Sequence, residues 1–271
     1  MGKPRIYRIG IIGGGNMGEA LLSGILQHRL VPKSRISVSE SVISKRRSLA
    51  RRYAVFVTGK NRRLVSRSDV VILAVKPQQM EEVLREIAPL GENHFVISIA
   101  AGIRLSLIER HLGKLPAIRV MPNLAAAVGE AISAMAKGRH AGRRHCLIAE
   151  KLFQSVGETV WVSESKLDAI TALSGSGPAY VAFFIQALRE GAGRIGLSDG
   201  LSLRLVQKTF QGSVSYLSKE GIDPQRFIKK VASKGGTTEA ALEVFRSHRL
   251  FQTVTLALRR AAGRSRQLSK G

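Results

Sequence analysis

A glycine-rich turn between a short apolar run and an amphipathic stretch constrains this chain more than any other feature. Residues 9–18 read IGIIGGGNMG, and the glycines at Gly13, Gly15 and Gly18 fit the spacing G-x-G-x-x-G. In that spacing the first glycine allows a tight turn after a strand, and the second lets the backbone approach a pyrophosphate. The third lets the next helix pack closely on the strand. The segment therefore predicts a strand–turn–helix unit that binds a dinucleotide.

The pattern around this turn is a regular alternation of short apolar runs with amphipathic stretches. The predicted strands are Tyr7–Ile12, Arg35–Ser39, Val70–Val75, Phe95–Ile99, Ala117–Val120 and Glu158–Trp161. The predicted helices between them are Met17–His28, Ser44–Arg52, Gln79–Ala88 and Ser106–His111. This alternation is typical of an α/β fold in which helices cover both faces of a mostly parallel sheet. We therefore expect a Rossmann-type, doubly wound dinucleotide-binding domain over residues 1–163.

After about Glu164 the strand signals nearly vanish and helical periodicity takes over. The predicted segments are a helix at Lys166–Leu173, a break at Ser174–Pro178, and helices at Ala179–Ile195, Asp199–Lys219, Pro224–Val231, Glu239–Ser247 and Leu250–Arg266. The stretch from Ala179 to Leu188 is apolar on almost all sides, and a helix without a polar face needs cover all round. We therefore expect residues 164–271 to form an all-helical substrate and dimerisation domain.

The composition narrows the classes of partner. The chain has 271 residues and a formal net charge of +24, which favours anionic partners. The charge is spread evenly, because residues 1–163 carry 26 basic and 11 acidic side chains and residues 164–271 carry 17 and 8. Aromatic residues do not interleave with the short basic clusters, so we interpret these clusters as solvated faces. We expect a small-molecule substrate and no nucleic-acid partner.

The cysteine, the apolar runs and the histidines argue against a disulfide-bonded protein, a membrane protein and a zinc protein. Cys146 is the single cysteine and permits no internal disulfide, which is typical of a cytoplasmic protein. No apolar run reaches the length of about 18 residues that a membrane-spanning helix needs, and the first residues lack a signal-peptide pattern. His140, His145 and Cys146 lack the spacing of zinc ligands. We therefore expect a cytoplasmic protein without a membrane partner or a metal.

The end of the second predicted strand bears on which dinucleotide binds. There Ser39 is followed by Glu40, and an acidic residue at this place accepts hydrogen bonds from the ribose hydroxyls and repels a 2′-phosphate. Glu40 therefore favours NADH. Lys45, Arg46 and Arg47 follow one turn later and are suited to hold a 2′-phosphate if they fold over the site. Both NADH and NADPH stay open as cofactors.

Six segments carry a resemblance to a known family. They are IGIIGGGNMG at 9–18, DVVILAVKP at 69–77, SIAAGI at 98–103, RVMPN at 119–123, SGSGPAY at 174–180 and GGTTEAAL at 235–242. The glycine turn occurs in many dehydrogenases, but SGSGPAY followed by GGTT is specific. In this order, from about residue 6 to the carboxyl terminus, the chain resembles the pyrroline-5-carboxylate reductases. The resemblance implies hydride transfer from NADPH or NADH to Δ1-pyrroline-5-carboxylate, giving L-proline in the last step of proline biosynthesis.

The resemblance, together with the glycine turn, implies a set of site residues. Those expected to bind the cofactor are Gly13, Gly14, Gly15, Asn16, Met17, Ser39, Glu40, Ala74, Val75, Lys76, Pro77, Ala100, Ala101 and Gly102. Those expected to bind the substrate are Met121, Pro122, Asn123, Ser176, Gly177, Gly235, Gly236, Thr237 and Thr238. The family places the GGTT turn at the substrate carboxylate and the hydroxyl of Thr238 near the ring nitrogen, which makes Thr238 the catalytic candidate. It also implies a homodimer that can assemble further, with decamers known in the family.

Two departures from the family pattern and two alternative functions stay open. Lys234 stands where relatives commonly have a proline before GGTT, and Glu40 differs from the Asn/Asp-Arg pair of many relatives. A β-hydroxyacid-type dehydrogenase also joins a Rossmann domain to a helical domain, although neither Lys166 nor Lys208 lies in the catalytic-lysine motif of that class. A non-catalytic protein that binds a dinucleotide or a nucleic acid is the second alternative. Turnover of pyrroline-5-carboxylate distinguishes these functions.

Overall fold

Short runs of Val, Ile and Leu form the centre of an eight-stranded sheet in the computed structural model, which describes residues 7–268. The strands are β1 (Ile9–Ile12), β2 (Ile36–Ser39), β3 (Phe56–Thr58), β4 (Val70–Leu73), β5 (Phe95–Ser98), β6 (Ala117–Met121), β7 (Ala131–Lys137) and β8 (Gly157–Trp161). Their order is β3-β2-β1-β4-β5-β6-β7-β8, and neighbours are parallel except β6 and β7. Every residue of β1, β2, β4 and β5 is buried, as strands covered on both faces require. The predicted doubly wound α/β fold is confirmed.

Helices between the strands cover the two faces of the sheet. They are α1 (Asn16–Gln27), α2 (Ile43–Tyr53), α3 (Asn61–Val65), α4 (Met80–Ile87), α5 (Leu105–Leu112) and α6 (Arg143–Gln154). Side chains alternate between two apolar clusters along β1, β4 and β5, so Ile9 and Ile11 belong to one cluster and Ile12 to the other. Because β1, β2 and β4 are parallel neighbours, their carboxyl ends and the loops that follow meet at one edge of the sheet.

Four elements of this part were not predicted. The strand β3 has three residues and α3 has five, so neither is long enough to show a period. The strand β7 and the helix α6 occupy the stretch between the last two predicted strands, for which no element was expected. In β7 most residues are alanine, serine or methionine rather than the β-branched residues that mark a strand. The other strands and helices lie within a few residues of their predicted bounds.

The predicted break at Ser174–Pro178 is wrong, because the chain stays helical through most of it. The helix α7 (Leu167–Ile170) continues into a π-helical turn, Thr171–Gly175, and α8 (Gly177–Arg194) follows. The hydroxyl of Ser174 donates to the carbonyl oxygen of Ile170 at 3.2 Å. A hydroxyl that bonds back to the preceding turn bends a helix without ending it.

A close approach to the sheet explains the glycine in the π-helical turn. A Cβ added to Gly175 would lie 2.6 Å from Cε of Met121, the last residue of β6. The absence of a side chain therefore lets the π-helical turn pack against the end of that strand. Single π-helical turns inside α-helices are frequent at functional sites.

The chain divides into two compact units. The first comprises the chain up to Ser176 together with the chain from Arg260 on, and the second comprises Gly177–Arg259. The predicted boundary between residues 163 and 164 stays a prediction. The ends of the two predicted domains, at residues 1–6 and 269–271, lie outside the described residues.

The second unit is entirely helical in its described residues. It contains α8, α9 (Asp199–Glu220), α10 (Pro224–Val231), α11 (Thr237–Ser247) and the first part of α12 (Leu250–Leu268). Its only buried residue is Ser202, whereas large apolar side chains such as Phe183 and Phe251 are 68% and 77% exposed. The single chain therefore gives this unit no apolar core. Between residues 7 and 268 no helix has the length and apolar character needed to cross a membrane.

Candidate functional site

The turn after β1 has the conformation that its glycines allow. Gly13 has a φ of +106°, and a Cβ added to it would lie 2.6 Å from the carbonyl oxygen of Ala74. A Cβ added to Gly18 would lie 2.0 Å from the carbonyl oxygen of Gly13, so this glycine lets α1 start against the turn. Gly15, by contrast, has a φ of −73° and nothing within 4 Å of an added Cβ. The fold therefore requires Gly13 and Gly18, whereas Gly15 leaves open space beside the backbone.

The first turn of α1 offers free backbone donors. The helix begins at Asn16, and its N-cap is Gly15, which has no side chain to cap it. The N–H groups of Asn16 and Met17 consequently have no acceptor within the helix. A helix N-terminus with free donors and a positive dipole end is suited to bind phosphate groups. The side chain of Met17 packs against the apolar core, so this residue faces the turn with its backbone.

A cavity of ≈ 440 Å³ lies at the carboxyl ends of β1, β2 and β4. The predicted cofactor residues that line it are Gly13, Gly15, Ser39, Glu40, Ala74, Val75 and Lys76. Further lining residues are Ile12, Ser41, Val42, Lys45, Gly59, Asn61, Gln79, Glu82, Val83 and Glu86. Its volume is typical of a small-molecule site, and open α/β sheets bind ligands outside the carboxyl ends of their strands. This cavity is therefore the candidate dinucleotide site.

A larger cavity, of ≈ 680 Å³, lies elsewhere on the first unit. It is lined by residues at the start of β1, such as Tyr7 and Ile9, and by the side of α6. None of the predicted site residues lines it, and the free donors of α1 lie at the opposite end of β1. The chemistry of its lining therefore keeps the smaller cavity as the candidate dinucleotide site.

Glu40 is the acidic residue of the cavity that was predicted to face the ribose. Its carboxylate accepts the N–H groups of Gly14 at 3.1 Å and Val42 at 2.9 Å, and the hydroxyl of Ser41 at 3.3 Å. The residue is 8% exposed. Two backbone donors therefore fix this negative charge beside the glycine turn.

The basic residues after Glu40 differ in what they contact. Nη1 of Arg46 donates to the carbonyl oxygens of Glu40 and Ser41, both at 2.8 Å. Lys45 lines the cavity and its side chain is exposed. The guanidinium of Arg46 is thus engaged with the backbone, and Lys45 is the cation of this group that faces the cavity.

Asn61 is a lining residue that the sequence reasoning missed. Its Oδ1 accepts the hydroxyl of Ser39 at 2.6 Å, and its Nδ2 donates to Oε2 of Glu86 at 2.6 Å. It thereby joins the end of β2 to α4 across the cavity. Asn61 follows β3, the three-residue strand that was not predicted. Recognition of that strand would have placed Asn61 at the same edge of the sheet.

The remaining predicted residues of the first unit lie on other turns. Pro77 starts a short 3₁₀ turn directly after Lys76. Ala100, Ala101 and Gly102 form the turn between β5 and α5, and they do not line the cavity. Met121 ends β6, and Pro122 and Asn123 follow it and precede another 3₁₀ turn.

The predicted donors at the start of α8 are partly occupied. Both the N–H and the hydroxyl of Ser176 donate to the carbonyl oxygen of Thr171, at 2.9 and 3.3 Å. Gly177 is the first residue of α8. The π-helical turn before α8 therefore uses the backbone donor of Ser176 that the sequence reasoning left free for a ligand.

The GGTT turn in the second unit keeps its first donors free. Gly235 has a φ of +71°, and its N–H donates to Oε2 of Glu239 at 2.6 Å, which closes the turn. Gly236 is the N-cap of α11 and lacks a side chain to cap it, so the N–H groups of Thr237 and Thr238 have no acceptor within the helix. Thr238 is half-buried. The turn is suited to bind a carboxylate.

Comparison with known proteins follows the two-part organisation of the chain. Residues 164–268 match the family model described as pyrroline-5-carboxylate reductase dimerisation. Residues 8–102 match the model described as NADP oxidoreductase coenzyme F420-dependent. The pyrroline-5-carboxylate reductase of Glycine max is 39% identical over 265 residues, which cover 97% of this chain and 96% of the relative.

Solved structures of relatives are similar to this chain over almost its whole length. A pyrroline-5-carboxylate reductase from Coxiella burnetii has a TM-score of 0.89 and 32% identity, covering 98% of this chain and 100% of its own. The Plasmodium falciparum pyrroline carboxylate reductase, solved with NADP bound, has a TM-score of 0.89 and 28% identity, covering 97% and 98%. The alternative functions are not favoured by these matches. With its glycine turn, its GGTT turn and this full-length similarity, the chain belongs to the pyrroline-5-carboxylate reductase family.

Proposed function

We propose that this chain reduces Δ1-pyrroline-5-carboxylate to L-proline with NADH or NADPH, the last step of proline biosynthesis. The observation that carries the proposal is the GGTT turn, because its free N–H groups at the start of α11 suit the carboxylate that the substrate bears. The cavity at the glycine turn supports the cofactor half of the same reaction.

The residues of the first unit fit a nicotinamide dinucleotide. The open space beside Gly15 and the free donors of Asn16 and Met17 would hold the pyrophosphate. Glu40 and Lys45 would face the adenosine ribose. The turns at Ala74–Pro77 and Ala100–Gly102 follow parallel strands at the same edge and would flank the nicotinamide. When bound, the reduced dinucleotide supplies the hydride for the C=N carbon.

The protein contributes binding and orientation rather than acid–base chemistry. A protonated imine is already an electrophile, and hydride addition to its carbon gives a neutral amine directly. The N–H groups of Thr237 and Thr238 bind the carboxylate, and the hydroxyl oxygen of Thr238 accepts a hydrogen bond from the ring nitrogen. Positioning of this kind lowers barriers by up to about 7–11 kcal/mol in well-oriented systems.

Replacement of the Thr238 hydroxyl tests this assignment. We expect Thr238→Ala to lower kcat/KM for pyrroline-5-carboxylate by more than about tenfold, because the ring nitrogen loses its partner in the transition state. Thr238→Ser keeps a hydroxyl and should retain most of the activity. Steady-state kinetics with a fluorescence titration of the dinucleotide check both effects, and the dinucleotide affinity should stay unchanged.

A second threonine provides the control for Thr238. Thr253 lies on α12 in the same unit, and its hydroxyl donates to the carbonyl oxygen of Arg249. Thr253→Ala removes a hydroxyl from a helix without touching the GGTT turn, so kcat/KM should not change. Wild-type kcat/KM in Thr238→Ala would remove Thr238 from the mechanism.

We infer a homodimer that can assemble further, up to a decamer. The exposed apolar side chains of the second unit support association, since this unit buries no apolar residue within one chain. The match to a dimerisation family over 164–268 supports the same inference and the proposed division into a cofactor domain, 1–163, and a helical domain, 164–271.

We further infer a cytoplasmic location, with neither nucleic acid nor membrane as a partner. The single cysteine supports a reducing compartment, and the even spread of basic residues supports a solvated surface. Fluorescence microscopy of the tagged protein in cells tests the location.

A further inference from the structure

Arg119 is a buried cation outside the two ligand-binding turns. It lies on β6 and is 2% exposed. Its Nη1 donates to Oε1 of Glu164 at 3.2 Å, and its Nη2 lies 3.9 Å from Oδ1 of Asp168. Within the described residues Nη2 makes no hydrogen bond. A buried guanidinium between two carboxylates is costly to disturb, since loss of one partner leaves an uncompensated charge.

Each of the two carboxylates also holds a second segment of the chain. Oε1 of Glu164 accepts the N–H of Leu105 at 2.8 Å, and Leu105 starts α5 three residues after Gly102, the last residue of the turn at Ala100–Gly102. Oδ1 of Asp168 accepts the hydroxyl of Ser265 at 2.7 Å, and Ser265 lies in the last part of α12. Arg119 thereby joins α5 and the end of α12 through its carboxylate partners.

The turn before α5 and the end of α12 also pack on each other. Gly102 has a φ of +77°, and a Cβ added to it would lie 3.1 Å from Cβ of Leu268. Three segments therefore form one connected cluster around Arg119: the turn with α5, the chain from Glu164 to Ser176, and the end of α12.

Two of these segments are the covalent attachments of the helical unit. The chain leaves the first unit after Ser176 and returns to it at Arg260. We propose that Arg119 is a positioning residue, which fixes both attachments to each other and to the turn at Ala100–Gly102. Both attachments lead to the unit that carries the GGTT turn, so substrate binding by that turn depends on an intact cluster. Arg119 acts on the substrate through these segments, and the inference rests on the proposed function.

Arg119→Met tests the inference, because it keeps a long side chain and removes the charge. The expected result is a rise in KM for pyrroline-5-carboxylate of about tenfold. The dinucleotide affinity should fall by less, because the glycine turn lies outside the cluster and only the turn at Ala100–Gly102 belongs to it. Arg119→Lys keeps a buried charge and should restore part of the substrate affinity. Ser265→Ala removes one hydroxyl and should raise KM in the same direction, by less, in a protein that keeps its fold.

The matched control is an ion pair of the same unit away from the cluster. Nη2 of Arg8 lies 2.9 Å from Oδ1 of Asp69, and these residues directly precede β1 and β4, opposite the cofactor edge. Arg8→Met should lower Tm without changing KM.

Hydrogen exchange adds a measurement that does not need turnover. Arg119→Met should speed amide exchange at residues 100–105 and at 260–268 together, and Arg8→Met should not.

Three results would overturn the inference. One is an Arg119→Met protein with lower Tm or kcat but wild-type KM, which leaves Arg119 a purely structural role. Another is an equal rise in KM in Arg8→Met, which makes the effect a general loss of stability. The third is a wild-type KM in both Arg119→Lys and Ser265→Ala. This result decides the question if Arg119→Met does not fold. Absence of turnover in the wild type would contradict the proposed function instead, and the exchange comparison would still test Arg119.

Discussion

Glu40 shows how one side chain can shape a turn and select a ligand. Its carboxylate accepts the N–H of Gly14, so the charge is fixed at the turn that would hold the pyrophosphate. The arginine nearest to it, Arg46, donates to backbone carbonyl oxygens. Backbone hydrogen bonds therefore hold this negative charge in place, whereas the two lysines that line the cavity, Lys45 and Lys76, are exposed. An acidic residue at the ribose of a dinucleotide repels a 2′-phosphate, so we propose that Glu40 favours NADH.

Glu40→Gln should shift the cofactor preference toward NADPH. The amide oxygen can keep one of the two backbone hydrogen bonds, from Gly14 or from Val42, and the repulsion of a 2′-phosphate is removed. We expect the ratio of kcat/KM for NADPH to that for NADH to rise by about tenfold, the size of a 1.4 kcal/mol change. Glu82→Gln, at another acidic residue of the same cavity, is the control. An unchanged ratio in Glu40→Gln would show that Glu40 does not select the cofactor.

At the scale of single elements, two glycines of the turn between β1 and α1 have different roles. Gly13 is required by the fold, and Gly15 is proposed to make room for the ligand. Gly13 has a positive φ and a carbonyl oxygen against its Cβ position, whereas Gly15 has neither constraint. The sequence motif alone assigns both glycines to the same fingerprint. Their different surroundings allow the two roles to be measured separately.

Gly15→Ala should leave the fold intact and weaken the binding of the dinucleotide. Its φ of −73° suits alanine and its Cβ would meet no atom within 4 Å, so we expect Tm to stay near the wild-type value. The added methyl group would occupy the space that the pyrophosphate needs, which should raise the dinucleotide Kd by about tenfold or more. Gly13→Ala is the contrast, and it should lower Tm. Wild-type dinucleotide affinity in Gly15→Ala would exclude close contact at this position.

The elements that could be predicted from the sequence are those in which burial follows one pattern along the whole element. Buried central strands such as β1 and β4 are continuous apolar runs, because both faces are covered. Short elements such as β3 carry too few residues for a period, and Asn61 was missed with it. The break at Ser174–Pro178 was wrong because serine hydroxyls bond within the helical path there. Contacts such as Arg119 with Glu164 join residues far apart in sequence, which local patterns do not reveal.

At the scale of the whole molecule, the apolar surface of the helical unit requires a partner. Side chains such as Phe183 and Phe251 are largely exposed in a unit that buries one serine among its described residues. Exposed apolar surface on this scale marks an interface. The stretch from Ala179 to Leu188, apolar except for Tyr180 and Gln186, indicates the same from sequence. The number of subunits does not follow from one chain.

The mass in solution should be at least twice the 29.4 kDa of the chain. Phe251→Glu places a charge on the exposed apolar surface of the helical unit and should lower the mass or raise the dissociation constant of the oligomer. Val128→Glu is a matched control, since Val128 is 76% exposed in the first unit and Phe251 is 77% exposed in the second. Light scattering coupled to gel filtration measures both variants. A wild-type protein that stays monomeric at micromolar concentration would contradict the inference.

The central claim is that this chain converts Δ1-pyrroline-5-carboxylate to L-proline at the expense of a reduced nicotinamide dinucleotide. The direct measurement follows the absorbance of NADH and of NADPH in parallel with and without the substrate, and identifies the product by chiral chromatography. The account predicts substrate-dependent oxidation with one L-proline formed for each dinucleotide consumed. An oligomeric, folded protein that binds the dinucleotide and forms no proline with either cofactor would contradict it.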